Sequence, residues 1–281
     1  MAVNIFEKYG IKEVANVYFE ALDKDEANGI EKGDIVLFLD TLKVSTIETT
    51  AENVAAQGGW GNPKLVMWDY GKEINLTLED ALISLESLRF MMGGAIKRSS
   101  SAEKVVVNLS EQATVQTADT LPTLRDHLNA DHVYAAPSKY RWINMTQGTR
   151  GTEADFAAEA DDLVRIFWTQ EVTNTDAAVE ITISPNTFPG TYKVVGDTFM
   201  RSEKSGKDEA FQFVIGKAKV LSEVTITLEA EGDPSTFEMQ LNVLRSTNER
   251  GENEMMKLIR YNAAELTTAA AEGEGEDEGN A

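Results

Sequence analysis

Between Glu209 and Arg245 three successive runs alternate apolar and polar residues with a period of two, and this pattern constrains the fold more than any other stretch. Phe211, Phe213 and Ile215 alternate with Gln212 and Val214. Val224, Ile226 and Leu228 alternate with Thr225, Thr227 and Glu229, and Phe237, Met239, Leu241 and Val243 with Glu238, Gln240, Asn242 and Leu244. Gly232-Asp233-Pro234-Ser235 punctuates the second and third runs. Successive side chains of a strand point to opposite faces, so one apolar face per run marks half-buried antiparallel sheet. The chain is therefore mainly β, and this stretch carries no reactive constellation.

Other strands are legible at Val14–Leu22, Ile35–Leu39 continuing through Val44 and Ile47, Leu65–Tyr70, Ile74–Leu78, Val105–Leu109, Thr114–Gln116, Leu163–Val172, Val179–Ile183, Tyr192–Val195 and Met255–Tyr261. The continuous apolar run Ile35–Leu39 suits a strand buried on both faces. Residues 69–72, Asp-Tyr-Gly-Lys, suit a hairpin turn. Strand aromatics (Tyr18, Phe19, Phe38, Phe167, Trp168, Phe211, Phe213) read most simply as core, with an inter-subunit surface as the alternative. One helix is expected at about 77–92: Leu78, Leu82, Leu85, Leu88 and Met92 recur at helical spacing, Thr77 can cap it, Glu79 and Asp80 suit its first turn, and Gly93-Gly94 ends it. The expected architecture is an antiparallel β-sandwich or β-barrel with one flanking α-helix. Residues 1–262 are expected to form one β domain, with an insertion or elaborated connection at about 118–162, followed by a disordered acidic tail over 263–281.

Composition excludes several classes. The 281 residues are 42% hydrophobic, enough for a core, and include no cysteine, which removes disulfides, thiolate metal sites and Cys nucleophiles. No apolar run approaches the roughly 20 residues of a membrane span, and no signal peptide is readable, so a soluble chain without a membrane anchor is expected. The net charge is −21, with six acids and no base in the last 17 residues, leaving −15 on the remainder. Such acidity favours solubility and opposes adsorption to nucleic acid.

Candidate chemistry is thin. His127 and Asp131, at i,i+4, could seed a metal site on a helix, but no third ligand is evident and polar loop residues are the simpler reading. Gly58-Gly59-Trp60-Gly61 lacks the Gly-Lys-Ser/Thr ending of a phosphate loop. Ser101-Ala-Glu-Lys104 has no companion motif. The acid pairs Glu79-Asp80 and Asp161-Asp162 could serve glycoside hydrolysis, but such pairs arise by chance among 47 acids. No catalytic residue, metal ligand or cofactor is assigned. The long polar, glycine-rich connection Glu48–Pro63 stands out instead, because loops of that length are commonly functional.

Two stretches resemble the major tail (tail tube) proteins of bacteriophages that infect Gram-positive hosts. The first is residues 50–65, Thr-Ala-Glu-Asn-Val-Ala-Ala-Gln-Gly-Gly-Trp-Gly-Asn-Pro-Lys-Leu, running on through 68–82; the second runs from Pro189-Gly-Thr-Tyr-Lys-Val-Val-Gly-Asp-Thr198 through 206–219 to 229–239, Glu-Ala-Glu-Gly-Asp-Pro-Ser-Thr-Phe-Glu-Met. Residues 118–162 and the acidic tail lie outside the resemblance. It implies a β-sandwich or β-barrel with a flanking helix, self-assembly into hexameric rings, and stacking of those rings into a tube through which DNA passes without specific binding. Sheath, baseplate or tail terminator proteins would be the partners, and the virion tail, after synthesis in the host cytoplasm, the location. It also implies that the loop after the early strands reaches the next ring; here that loop carries Glu48, Thr50, Glu52, Asn53, Gln57, Gly58, Gly59, Trp60 and Gly61. Alternatives are another virion component (baseplate ring, sheath-associated or capsid decoration protein), a carbohydrate- or receptor-binding β-sandwich using Trp60 and Trp142, or a hydrolase.

Overall fold

Antiparallel pairing organises the molecule, which a computed structural model describes over residues 8–26, 28–225, 236–248 and 250–262. The chain divides into two compact units, one drawn from residues up to Ala95 and from Ile183 onward, the other from Ile96–Thr182.

In the first unit, strands β1 (Tyr9–Ile11), β2 (Asn16–Ala21), β3 (Ile35–Leu39), β4 (Leu42–Gln57) and β5 (Lys64–Asp80) precede helix α1 (Leu85–Met92). Strand β6 (Ala95–Arg98) begins on the last residue of that segment and runs into the second unit, which contributes β7 (Val105–Thr114), β8 (Arg141–Asn144), β9 (Arg150–Thr152), β10 (Leu163–Val172) and β11 (Val179–Thr182). The chain then returns to the first unit with β12 (Thr191–Ser202), β13 (Asp208–Val220), β14 (Phe237–Val243), the short pair β15 (Ser246–Thr247) and β16 (Asn253–Glu254), and β17 (Lys257–Tyr261).

The large sheet of the first unit has the order β3-β2-β12-β13-β14-β5-β4, with β1 added to β12 and β17 to β13. Its two end strands, β3 and β4, are consecutive in the chain and separated by Asp40 and Thr41 alone. The sheet must therefore curl until its ends meet, yet it does not close into a barrel. Asp80 ties this corner, accepting from the Thr41 hydroxyl at 2.5 Å and from the Leu82 amide at 3.2 Å. Inside the curl Val17, Phe19, Leu37, Leu39, Ile74, Leu76, Leu78, Val194, Phe213, Ile215, Met239, Leu241 and Val243 pack with Phe90 and Met91 of α1.

The alternation of the opening stretch is realised in β13 and β14, with one slip. Phe213 and Ile215 are buried, but beyond Gly216 the buried positions become Ala218 and Val220. The facing register shifts between Tyr192 and Val194 of β12. An extra residue in one strand exchanges the faces for everything after it. Most of the expected strand at Val224–Leu228, and the turn at Gly232–Ser235, lie outside the described residues, as does the acidic tail.

Several expectations are corrected. The helix begins at Leu85: Ser84 caps it, its hydroxyl accepting from the Ser87 amide while the Ser87 hydroxyl accepts from the Ser84 amide, both at 2.9 Å. Thr77, Leu78, Glu79 and Asp80 instead complete β5, because their alternation lets Leu76, Leu78 and Asp80 face inward between β14 and β4. Residues 69–72 do not turn; they run through β5, and Gly71 (φ 60°) sits beside a register shift between Thr50 and Glu52. β3 buries Leu37 and Leu39 but leaves Ile35 and Phe38 exposed, since a sheet curled over one core has a wet outer face.

The second unit has its own four-stranded sheet, β7-β10-β8-β9, and its own core of Val115, Leu124, Trp142, Ala158, Val164, Ile166 and Trp168. The segment 118–162 belongs to this unit and supplies β8 and β9. Its glycines, prolines and short runs obscured those strands. A buried polar knot joins its turns: Asp162 accepts from the Asn144 and Gln147 side-chain amides at 2.8 and 2.7 Å, and Asn144 accepts from the Thr146 and Gln147 backbone amides at 3.0 Å.

Candidate functional site

The connection expected over Glu48–Pro63 is mostly strand. β4 and β5 pair in register from Leu42↔Asp80 to Gln57↔Lys64, making a long two-stranded ribbon. Thr-rich and alternating sequence in β4 supports extended backbone, and β5 supplies an uninterrupted partner. Only the tip turns. Gly58 donates to Pro63 at 3.2 Å and Asn62 to Gly59 at 3.1 Å, with Gly59, Gly61 and Asn62 at φ of 85°, 81° and 48°. Glycine carries positive φ without a Cβ penalty, which explains the glycine-rich tip.

The base of this ribbon and its outer half differ sharply. From Ile74 to Asp80 alternate β5 residues are buried in the core, whereas from Lys64 to Glu73 every residue is exposed. Directly opposed residues in an antiparallel pair share a face. One face of the outer arm therefore carries Val54 opposite Trp68, Ala56 opposite Val66 and Glu52 opposite Tyr70. The other carries Ala55 opposite Met67 and Asn53 opposite Asp69, with Leu65 alongside Met67. Both faces carry large apolar residues that meet solvent: on one Trp68 is 54% exposed, on the other Met67 is 56% exposed. Trp60 at the tip is fully exposed. An isolated two-stranded hairpin is marginal in water, and a contiguous apolar patch marks a contact surface.

Of the sequence-assigned contact residues, Glu48, Thr50, Glu52, Asn53 and Gln57 line β4, and Gly58, Gly59, Trp60 and Gly61 form the tip. The structure brings them into one arm. Missed were Leu65, Val66, Met67, Trp68 and Tyr70 on the returning strand, whose density of large apolar residues opposite Val54 and Ala56 was the available signal.

Chemical alternatives gain little. His127 and Asp131 share no helix; His127 instead bonds Glu111 through Nδ1 at 2.8 Å. Ligand atoms of Glu111, Asp126 and His127 lie within 4.8 Å of one another, but Asp126 already accepts from the Leu128 and Asn129 amides and from the Tyr134 hydroxyl. Those bonds hold the Asp126 carboxyl below its usual range, burial raises the Tyr134 phenol to about 12, and the Glu111 bond raises His127. The cluster is a satisfied hydrogen-bond network. Trp142 is not an exposed ligand platform; it is 3% exposed, donates to the Thr152 carbonyl at 2.9 Å and packs against Phe156. Phe167, expected in the core, is exposed on the opposite face of that sheet. Glu79-Asp80 and Asp161-Asp162 do not form paired carboxylates in a cleft; Asp80 and Asp162 are buried in structural hydrogen bonds. No helix among the described residues is long and apolar enough to cross a membrane.

A curled antiparallel sheet extended by a solvent-exposed ribbon with large apolar residues defines a β-scaffold protein. The YomU/Tube protein family model matches residues 9–257, and the chain belongs to that family. Among curated relatives it is similar to a tail tube protein of Bacillus phage SPR, 25% identical over 252 residues that cover 85% of this chain and 90% of the relative.

Proposed function

We propose that the protein is the wall subunit of a phage tail tube, a non-catalytic component of the virion tail that self-assembles into rings, six subunits to a ring, which stack into a conduit for the genome. The observation that carries this reading is the β4–β5 arm, a ribbon with large uncovered apolar residues on both faces, on a chain of the YomU/Tube family. Burying it against a neighbouring copy removes apolar surface from water at about 25 cal/mol per Å². The arm and its tip, including Trp60, make the contact between successive rings. Net acidity keeps DNA sliding rather than adsorbing, because phosphate binding requires clustered cations. Sheath, baseplate and tail terminator proteins are the partners at the ends and outside of such a tube. Electron microscopy of the purified protein tests the assignment: tubes or stacked rings support it, and monomers at every concentration contradict it.

A further inference from the structure

The solvent face of the four-stranded sheet in the second unit carries cations that no neighbouring acid explains. Register places Arg165 of β10 opposite Ile143 of β8, and Ile143 opposite Arg150 of β9. One row along, Arg141 lies opposite Phe167 on one side and Thr152 on the other. With strands about 4.8 Å apart and same-face residues about 6.8 Å apart along each, the three arginines form a triangle with sides of roughly 8–10 Å. All three are exposed, and no hydrogen bond or salt bridge joins their guanidinium groups to another described residue. Glu171, the acid on the same face of β10, lies at its far end and is held by Lys104 at 2.7 Å. Asp155, next to β9, is occupied by the Thr152 amide and hydroxyl. Two shallow recesses meet across Arg141 and Phe167, which line both: one of about 440 Å³ over Ile143 and Arg150, the other of about 660 Å³ reaching Asn108, Lys139 and Thr169. Among the described residues Glu153 is the only acid lining either, against Lys139, Arg141 and Arg150. The result is a cationic trough with an apolar floor.

We propose that this face binds an acidic polysaccharide that carries its carboxylates on the sugar rings, a polyuronate. Strands β8 and β10 are each paired on both sides, so the trough offers side chains rather than an open edge to which a peptide strand could add. In both rows an apolar side chain has a guanidinium as its direct cross-strand neighbour: Ile143 beside Arg165 and Arg150, Phe167 beside Arg141. A uronic acid matches that pairing within one sugar. Its ring lays a C–H face on the apolar side chain while its carboxylate accepts two parallel N–H bonds from the guanidinium. Asn108 and Thr169, a cross-strand pair on the same face, supply donors and acceptors for ring hydroxyls. Nucleic acid is the poorer match. Duplex DNA carries one charge per about 1.7 Å, which a chain of net charge −21 repels strongly, whereas a polyuronate spreads its charge over whole sugars. Base stacking also needs several aromatic platforms, and the rows of this face hold Phe167 alone. The inference does not depend on the tube assignment.

Affinity electrophoresis of the full chain through gels containing polygalacturonate tests the proposal. The expected result is retardation by polygalacturonate and none by its fully methyl-esterified form, which keeps the sugar backbone and removes the charge. R141Q/R150Q/R165Q should weaken binding about tenfold, the worth of three exposed charge pairs. Phe167→Ser should weaken it with every charge in place. Removing as many exposed cations elsewhere, in K8Q/K12Q/K32Q, should leave binding unaltered, and thermal melts should show each variant folded. Absence of retardation, or retardation that survives the arginine or the Phe167 substitutions, overturns the site. Stronger retention by polyglutamate or by single-stranded DNA than by polygalacturonate overturns the assignment to a polysaccharide.

Discussion

Trp68 stands directly opposite Val54 on one face of the β4–β5 arm, and each leaves about half of its surface in solvent. In a monomer this pair contributes little to stability, because neither side chain is buried. If the arm is a contact between copies, the same pair should contribute strongly to association, since large aromatic residues are the usual anchors of interfaces. Trp68→Ser should leave the thermal midpoint unchanged while weakening self-association by about 2 kcal/mol, roughly thirtyfold. Differential scanning fluorimetry and sedimentation velocity on one preparation measure both.

The core of the first unit has a contact with no slack. Gly196 of β12 pairs with Phe213 of β13, and the Phe213 ring lies over the glycine so closely that an added Cβ would stand 2.1 Å from Cζ. Phe213 is itself buried. Gly196→Ala must push the ring from its place, and overpacking of this kind costs about 1–3 kcal/mol. A lowered denaturation midpoint with an unchanged denaturant slope is expected.

In the second unit, Asn144 is fully buried and donates to the buried Asp162 carboxylate. Asn144→Ala removes one donor to that carboxylate and the acceptor that the Thr146 and Gln147 backbone amides use at the β8 turn. Leaving such groups unsatisfied should cost about 2–3 kcal/mol. Hydrogen exchange should show the loss confined to residues 96–182.

The His127–Glu111 pair makes the second unit sensitive to pH. The Glu111 hydrogen bond, then its charge, raises the His127 pKa above the ordinary 6.5. A group whose folded pKa is raised contributes its full stabilisation below the unfolded value and loses it as pH rises through the folded value. Local stability around residues 124–134 should therefore fall as pH increases above about 6.5. His127→Gln should flatten that dependence. An NMR titration of the His127 ring giving a pKa at or below 6.5 contradicts the assignment.

Much of the scaffold was legible because short apolar runs of strand length survive in the residues themselves: Ile35–Leu39 and Leu163–Val172 are strands with the expected bounds. Legibility failed where tertiary partners decide. Leu78 fits a helical stripe with Leu82 and Leu85, but β14 and β4 flank it and recruit it to a strand. Trp142 and Phe167 exchange their expected places because the face of a sheet that is buried depends on what covers it, here the irregular segment around Leu124 and Phe156. The arm was found as a region but mistaken for a loop, since the glycines at its tip obscured the pairing of its two sides.

The pairing of β4 with β5 decides which shortening of the arm leaves a folded subunit. Deleting residues 51–61 would strip β4 from its partner and leave Leu65–Tyr70 unpaired; replacing residues 52–70 with Asn-Gly shortens both strands together and supplies a hairpin turn. The decisive measurement is electron microscopy of this shortened protein beside the full chain, with circular dichroism confirming that both are folded. The account predicts tubes or stacked rings from the full chain and no stacks from the shortened one. Tube growth by the shortened protein at the rate and length of the full chain would contradict it.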